Sequence, residues 1–475
     1  MAEPWADIPI DTKYFANVDE DQLTRGLAAL ENAFVNEAGG HTRFPGLREF
    51  VDLNGRTPVY VWADKGVGFR GNMMAVTGDG KVYEIGRQGA ARDVTGTPLS
   101  GGRRPSFADV SNGLLIAAGG DILKYDGKET AILSEDAPKS SFVGYVDGFT
   151  LAVEDFSGRF QHTQPGQEDV WEPLDVFTAD SQSDPINAML VTPFRELLLA
   201  GSKSFEQFER LTSGEVPFFR RWDAGSGVLA PHTLTFADQA AWAVNPKHEL
   251  VRISGQVADP ASQDINLLLE RITDWRDAWA IEVQVHGQYF ILLQIPKAAT
   301  PYDREGLTLI YDYRQKKWSS LYGWDDDRGE PAAWPGYSYC NIWGRHFVGG
   351  AGKIYELTSD VRANDGAVQR MYCRTAMMPT GELSVDNVRM QVKRGAIGPN
   401  DTETEVALRV TRERNGKRTP SKWKRKSLGK MGQSARLIEF GSFGAGDAFQ
   451  IEYSITGTAP VDVMALQWQA TRLGL

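Results

Sequence analysis

Met73-Met74-Ala75-Val76, then Thr77-Gly78-Asp79-Gly80, then Lys81-Val82-Tyr83-Glu84-Ile85 is the stretch on which the fold turns. A short apolar run meets a Gly/Asp turn, and a second strand with an aromatic residue follows. Glycine and aspartate tolerate the backbone angles of a tight turn, while aromatic and β-branched flanks fit a pleated, half-buried surface.

The same grammar recurs downstream. Leu114-Leu115-Ile116 precedes Gly119-Gly120 and Ile122-Leu123-Lys124-Tyr125. Phe149-Thr150-Leu151-Ala152-Val153 precedes Ser157-Gly158 and Phe160, with Trp171 as the expected close of that unit. Leu197 to Leu199 turns at Gly201-Ser202 toward Phe205 and Phe208, and Ala241-Trp242-Ala243-Val244 turns at Asn245-Pro246 toward Leu250-Val251-Arg252-Ile253. Tyr289 to Leu293 meets Leu309 to Tyr313 across an insertion, and His346-Phe347-Val348 turns at Gly349-Gly350-Ala351-Gly352 into Ile354-Tyr355-Glu356-Leu357. Anchored on Tyr83, Tyr125, Phe160, Phe208, Val251, Tyr311 and Tyr355, the intervals run from 35 to 60 residues with a mean near 45. A four-stranded propeller blade takes roughly 40–50 residues. A lone hairpin leaves its apolar face wet, whereas radial stacking buries it and shields the strand edges. The spacing predicts an all-β chain with a propeller of about seven blades; the competing reading is a pair of β-sandwiches.

Beyond Asp360 the pattern changes. Val388, Met390 and Val392 alternate with polar neighbours, as do Val406, Leu408 and Val410, then Phe449, Ile451, Tyr453 and Ile455, with Met464, Leu466 and Trp468 continuing. One apolar and one polar face per strand marks an antiparallel sandwich. The predicted division is an N-terminal extended docking segment over 1–53, a propeller over 54–360 and a C-terminal β-sandwich-like domain over 361–475. In the first segment Leu23, Leu27, Leu30 and Phe34 have helical spacing, cut short by Gly26 and Gly39-Gly40.

At 475 residues, with 41% apolar and 24% charged side chains, the chain has an ordinary globular balance. Two cysteines, Cys340 and Cys373, exclude a disulfide scaffold. The start of the sequence has neither the basic end nor the apolar run of a secretory signal, and no apolar stretch is long enough for a membrane helix, so a soluble chain without membrane insertion is expected. The net charge of −11 is uneven: residues 361–475 hold 18 basic and 11 acidic residues and stand at +7, leaving −18 for 1–360. An acidic body of that size repels nucleic acid.

Chemical signatures are sparse. Gly80-Lys81 lacks the Ser/Thr and upstream glycine of a phosphate loop, and Gly66, Gly68 and Gly71 lie in no strand–helix unit. His41, His162, His232, His248, His286 and His346 are scattered, with no two at metal-ligand spacing. Asp325-Asp326-Asp327 reads as a solvated loop tip, and Asn400-Asp401-Thr402 as a chance sequon. No catalytic residue, metal or cofactor is expected. The feature that stands out is a basic cluster: Arg412, Arg414, Lys417, Arg418, Lys422, Lys424, Arg425, Lys426 and Lys430 fall within nineteen residues, opposed by Glu413 alone. Asn415-Gly416 is a hairpin signal, which places the charges on a protruding hairpin and its partner strand. Such a surface docks an acidic protein, or in second place nucleic acid, since Trp423 alone is interleaved and no aromatic array, or else it is a solvated edge that discourages aggregation.

Glu31-Asn32-Ala33-Phe34-Val35-Asn36-Glu37-Ala38-Gly39-Gly40, followed by Arg43-Phe44-Pro45-Gly46-Leu47, resembles the opening of the packaged-DNA stabilisation proteins, the tail hub or tail accessory proteins of short-tailed bacteriophages (podoviruses). Gln294-Ile295-Pro296, Leu309-Ile310-Tyr311-Asp312 with Trp318, and the pattern from Ile451 to Trp468 are similar to later parts of that family. The resemblance implies a non-enzymatic virion structural protein in the phage tail, assembled in the host cytoplasm. It implies a homo-oligomer, a hexameric ring below the portal and adaptor proteins, that closes the DNA-filled head and carries the tail needle and tailspikes or fibres. DNA would be met only in passage. The competing reading is a propeller that binds or degrades glycans, which needs carboxylates or aromatics converging on the propeller mouth.

Overall fold

The computed structural model describes residues 4–10, 29–63, 70–179, 181–211, 217–394, 404–428 and 435–473. Seven antiparallel sheets follow one another around a ring. Blades 1 to 5 span residues 59–93, 106–132, 143–178, 186–224 and 235–260, each a four-stranded meander. Blade 6 spans 279–333, and blade 7 takes Ser338–Ile342, Arg345–Gly349 and Lys353–Thr358. Every one of the seven anchor residues stands on the third strand of its blade. The repeat read from the sequence is therefore the register of the blades themselves.

The cores lie between blades rather than within them. Met74 and Val82 of blade 1 pack with Leu114 and Tyr125 of blade 2. Leu115 and Ala117 of blade 2 join Val143 and Ala152 of blade 3, and blades 3, 4 and 5 share a phenylalanine-rich core that includes Phe160, Phe205, Phe208 and Phe218. Further shared cores link blade 5 to 6, 6 to 7 and 7 to 1, so the circle closes. Each sheet is covered on both faces only because its neighbours are present.

The fourth strand of blade 7 is Gly46–Asp52, which pairs antiparallel with Lys353–Thr358. This strand belongs to the stretch that the sequence assigns to an N-terminal docking segment. Its partner lies about 300 residues away, so no local turn announces it. Cross-strand charges set the register: Arg48 pairs with Glu356 at 2.5 Å and Lys353 with Glu49 at 2.6 Å. A short hairpin, Ala363–Asn364 with Ala367–Val368, adds to the same sheet beyond residue 360.

Other expectations are corrected in detail. Leu30 and Phe34 sit on the strands Ala29–Glu31 and Ala33–Val35 rather than on one helical face, with Asn32 at φ 52° bending the chain between them; Leu23 and Leu27 lie outside the described residues. Trp171 is buried against the blade 2 core but lies ahead of the fourth strand, Val176–Thr178. The insertion in blade 6 is a lengthened hairpin, Gln288–Ala299 against Glu305–Asp312, with a bulge after Ile295.

The C-terminal domain has two packed antiparallel layers. In one, Met378–Arg394 pairs with Val461–Arg472 and Ala435–Glu439. In the other, Glu405–Arg414 pairs with Gly444–Thr456, which also pairs with Met371–Arg374. Val388, Met390, Val392, Val406, Leu408, Ile451, Tyr453 and Ile455 fill the space between. Met464 is exposed and Val463 takes the core position, because a bulge opposite Gln391 and Val392 shifts the register by one residue.

The N-terminal strands stitch the two domains together. Ala29–Glu31 pairs with Met371–Arg374 of the C-terminal domain and, in parallel, with Ser320 in blade 6. His41–Arg43 and Ala6–Ile8 both add to Val461–Arg472. Hydrogen-bonded sheet thus runs from blade 6 into the C-terminal layers.

Gly352, in the turn ahead of the third strand of blade 7, lies hard against the chain that leads into blade 1. Its φ is +72°, its N–H donates to Thr57 O at 2.8 Å, and a Cβ there would lie 1.9 Å from Gly55 O. Gly352→Ala should cost about 2–4 kcal/mol, from positive-φ strain added to a backbone clash. The urea midpoint at unchanged m-value measures it.

Candidate docking surface and propeller mouth

The basic cluster forms the hairpin the sequence predicts. Asn415 (φ 50°) and Gly416 (φ 73°) make a two-residue turn, with Arg414 opposite Lys417 and the strand Lys417–Pro420 returning along Glu405–Arg414. Lys424–Ser427 pairs further along the same strand.

Folding neutralises much of the cluster. Arg414 pairs with Glu382 at 2.6 Å, Arg418 with Glu413 at 2.8 Å and Arg425 with Glu405 at 3.8 Å. Lys424 donates to the carbonyls of Phe440 (2.9 Å) and Ser442 (2.6 Å) and stands 4.0 Å over the Phe443 ring. Partial burial, aided by Lys426, lowers its pKa. Arg412 reaches Phe443 O at 3.4 Å. Trp423 is covered by Arg409, which also grips Glu452 through two hydrogen bonds. Among the described residues, Lys417, Lys422 and Lys426 are the exposed cations of the cluster without an ion pair; Lys430 lies outside the described residues. The free charge of the hairpin therefore sits on those three lysines, since surface pairs already made contribute only about 0–1 kcal/mol and offer little free charge.

The second candidate is the propeller mouth, a cavity of about 840 Å³ where the first strands of blades 2 to 6 begin. Arg103 and Arg104 immediately precede blade 2. Arg104 donates to Tyr337 O at 2.6 Å and lies between the rings of Tyr60 (5.1 Å) and Trp279 (4.5 Å). Enclosure lowers its pKa to about 10. Arg103 donates to Ser141 Oγ at 2.6 Å and stands 3.5 Å from Asp155 and 5.0 Å over Phe156. His232 packs on Phe142 with ring centroids 5.0 Å apart. Enclosure, with Arg104 and Arg103 nearby, pushes its pKa down to about 3, so the imidazole is neutral at any ordinary pH. Asp274 at the rim is held at about 2, chiefly by the hydrogen bonds of Arg276.

This lining can orient a planar or anionic group on arginine and aromatic surfaces. A general acid needs a carboxyl pKa held up near neutrality. Among the described residues the carboxyls raised by burial are Glu31 and Asp312, and both stand away from the mouth. The sequence signal for the mouth was Arg103-Arg104-Pro105, two cations ahead of a strand start, which carries no meaning until the blades are arranged in a ring.

The remaining candidates resolve into structural contacts. His41 lies between Tyr453 OH (2.5 Å) and Ile10 O (3.1 Å), His162 contacts Thr163 O, His248 contacts Leu269 O, His286 contacts Ser359 Oγ and His346 contacts Tyr339 OH. Asp325 accepts from Arg304 at 3.0 Å and from the Arg328 N–H at the tip of blade 6. Among the described residues no three His, Cys, Asp or Glu side chains converge as metal ligands. Cys340 and Cys373 are both buried and form no disulfide. Gly66, Gly68 and the sequon at Asn400 lie outside the described residues.

No protein family matches the sequence, and neither does any curated protein. Solved structures do match. BamB from Moraxella catarrhalis is 12% identical over 75% of this chain and 98% of its own, with a TM-score of 0.36. BBS1N, in its complex with ARL6DN, is 12% identical over 68% of this chain and 99% of its own, with a TM-score of 0.41. The extracellular domain of the hybrid two-component system BT4673 from B. thetaiotaomicron is 11% identical over 88% of this chain, with a TM-score of 0.43, and this chain spans 62% of that one. Likenesses at this level carry nothing about function.

Proposed function

We propose that this chain is a non-enzymatic structural subunit of a short-tailed phage tail hub. Several copies ring the channel below the portal and adaptor and connect them to the needle and to tailspikes or fibres. The observation that supports this reading is the stitching of the two domains. One N-terminal segment closes blade 7 and shares sheets with both blade 6 and the C-terminal domain, as suits a part that transmits load. Large exposed apolar side chains on blades 3 and 4, among them Leu174, Phe194 and Phe219, add surface suited to permanent neighbours.

Native mass measurement of the purified chain, alone and with a portal–adaptor complex, tests it. Six copies are expected on the template. Failure to associate under any assembly condition overturns the reading. Changing Lys417, Lys422 and Lys426 together to glutamate should weaken that association at least about tenfold, since each reversal replaces attraction by repulsion. Stability should stay within about 0.5 kcal/mol, as the sites are exposed. Unaltered assembly removes the hairpin from the interface.

The second reading, a glycan-binding or glycan-degrading propeller, is favoured by Phe156 and Trp275 beside Asp155 and Asp277 at the mouth. Release of reducing sugar from a polysaccharide by the isolated chain would establish it.

A further inference from the structure

The seam between propeller and C-terminal domain holds a cleft of about 650 Å³. Five segments line it: the hairpin of Ala33–Val35 and His41–Arg43, the blade 6 turn at His286-Gly287, Arg362 after blade 7, Lys393 near the end of Met378–Arg394, and the start of Val461–Arg472. Two of its side chains are arginines at odds with their surroundings. Arg43 is 1% exposed and Arg362 7%. Arg43 donates to the carbonyls of Gly457 (2.6 Å), Arg362 (3.2 Å) and Gln369, and Arg362 to those of Ser359 and Val361. The Nε of each has no partner. Among the described residues, no carboxylate comes within ion-pairing distance of either guanidinium.

A buried charge without a counter-charge is costly, and two like charges side by side are more so. Burial and the neighbouring Arg362 lower the Arg43 pKa to about 9. Lys393 adds a third cation at the rim. Against these the cleft offers Asp462, which acts on Arg362 and His286 only at longer range, and Glu37 at the exposed lip. Asn36 gives an amide N–H to Thr42 Oγ1 at 3.1 Å, and its Oδ1 accepts from the Ala38 and Gly40 N–H groups, both at 3.0 Å.

We propose that this cleft binds a small oxyanion, a phosphate or carboxylate group, which Arg362 and Lys393 contact directly and which supplies the counter-charge that Arg43 lacks. The ligand would bridge the segment after blade 7 and the C-terminal domain, beside the N-terminal hairpin, and so tie the two domains together at their seam. The inference rests on the cleft alone and is independent of the tail-hub reading.

Calorimetric titration of the full chain tests it, with inorganic phosphate in one arm and acetate in the other, against chloride at matched ionic strength. A saturable one-to-one isotherm in either arm is expected, and the arm that binds more tightly identifies the anion class. Lys393→Ala, at an exposed position, should weaken binding about tenfold, the effect of one charge-assisted hydrogen bond. Arg362→Gln should abolish binding, with far-UV circular dichroism confirming the fold. Arg103→Ala at the propeller mouth should leave it unchanged. Heats indistinguishable from chloride, full affinity in the Lys393→Ala variant, or loss on Arg103→Ala would each overturn the proposal.

Discussion

With Leu47 and Val51 both changed to aspartate, the chain should lose its cooperative unfolding transition and expose apolar surface to dye at neutral pH. Both residues lie on Gly46–Asp52, the strand that completes blade 7, and they serve different seams. Leu47, 1% exposed, packs with Phe34, Trp334 and Leu357 between blades 6 and 7; Val51, 6% exposed, packs with Val59, Phe347 and Ile354 between blades 7 and 1. Each substitution forfeits about 1.5–3 kcal/mol of apolar burial and adds an unpaired carboxylate costing several kcal/mol more. The two together approach or exceed the roughly 5–15 kcal/mol that holds a native domain. A ring opened at one seam leaves the faces of two blades uncovered, so the damage cannot stay local. The control is Val257→Asp on the outer strand of blade 5, where the side chain is 55% exposed and the same substitution should cost no more than about 0.5 kcal/mol. Near-wild-type stability of the double variant would mean that this strand does not close the ring.

The contrast between that strand and the rest of the propeller explains what could be read in advance. Blades 1 to 6 and the strands of blade 7 from Arg345 to Thr358 announce themselves through apolar runs broken by turn residues, as where Thr77-Gly78-Asp79-Gly80 folds Met73–Thr77 back on Val82–Ile85. Gly46–Asp52 has its whole meaning in a partner near residue 355, and nothing within twenty residues points there. The sandwich-like domain was legible through its alternation, and Met464 was misplaced because a bulge shifts the faces by one residue without leaving a mark in the pattern. The basic cluster was legible as charge but not as free charge, since Glu382 and Glu405 are brought to Arg414 and Arg425 by strand pairing. Nothing in the sequence around Arg43-Phe44-Pro45-Gly46 marks the arginine as buried. Its burial becomes visible only when the N-terminal strands are laid across the C-terminal layer.

Arg370→Met should destabilise the protein by about 3–5 kcal/mol near pH 7.5, because it strands a buried carboxylate at the joint between the domains. Glu31 is 4% exposed on the strand that touches both blade 6 and Met371–Arg374. Tyr302 OH donates to it at 2.5 Å and Arg370 at 2.8 Å, while Arg370 also donates to Tyr302 OH at 2.8 Å. Burial raises the Glu31 carboxyl above its ordinary 4.5, and Arg370, Tyr302 and Arg374 oppose that rise without cancelling it. The sign follows. A carboxyl whose folded-state pKa is raised holds its proton more tightly in the folded chain. Its contribution is therefore fully present below the unfolded value and is lost as pH climbs through the folded one. Removing Arg370 takes away the largest opposing influence and lifts the folded value further. The deficit of the variant relative to wild type should then be greatest at neutral pH and shrink as the solution is acidified toward pH 5. Glu31→Gln in the same background should recover part of the stability and flatten the pH dependence, since no charge is left to bury. A deficit that stays constant between pH 7.5 and 5, or deepens in acid, would mean that Arg370 acts through its packing on Tyr302, Trp324 and Tyr372 rather than through the carboxylate it covers.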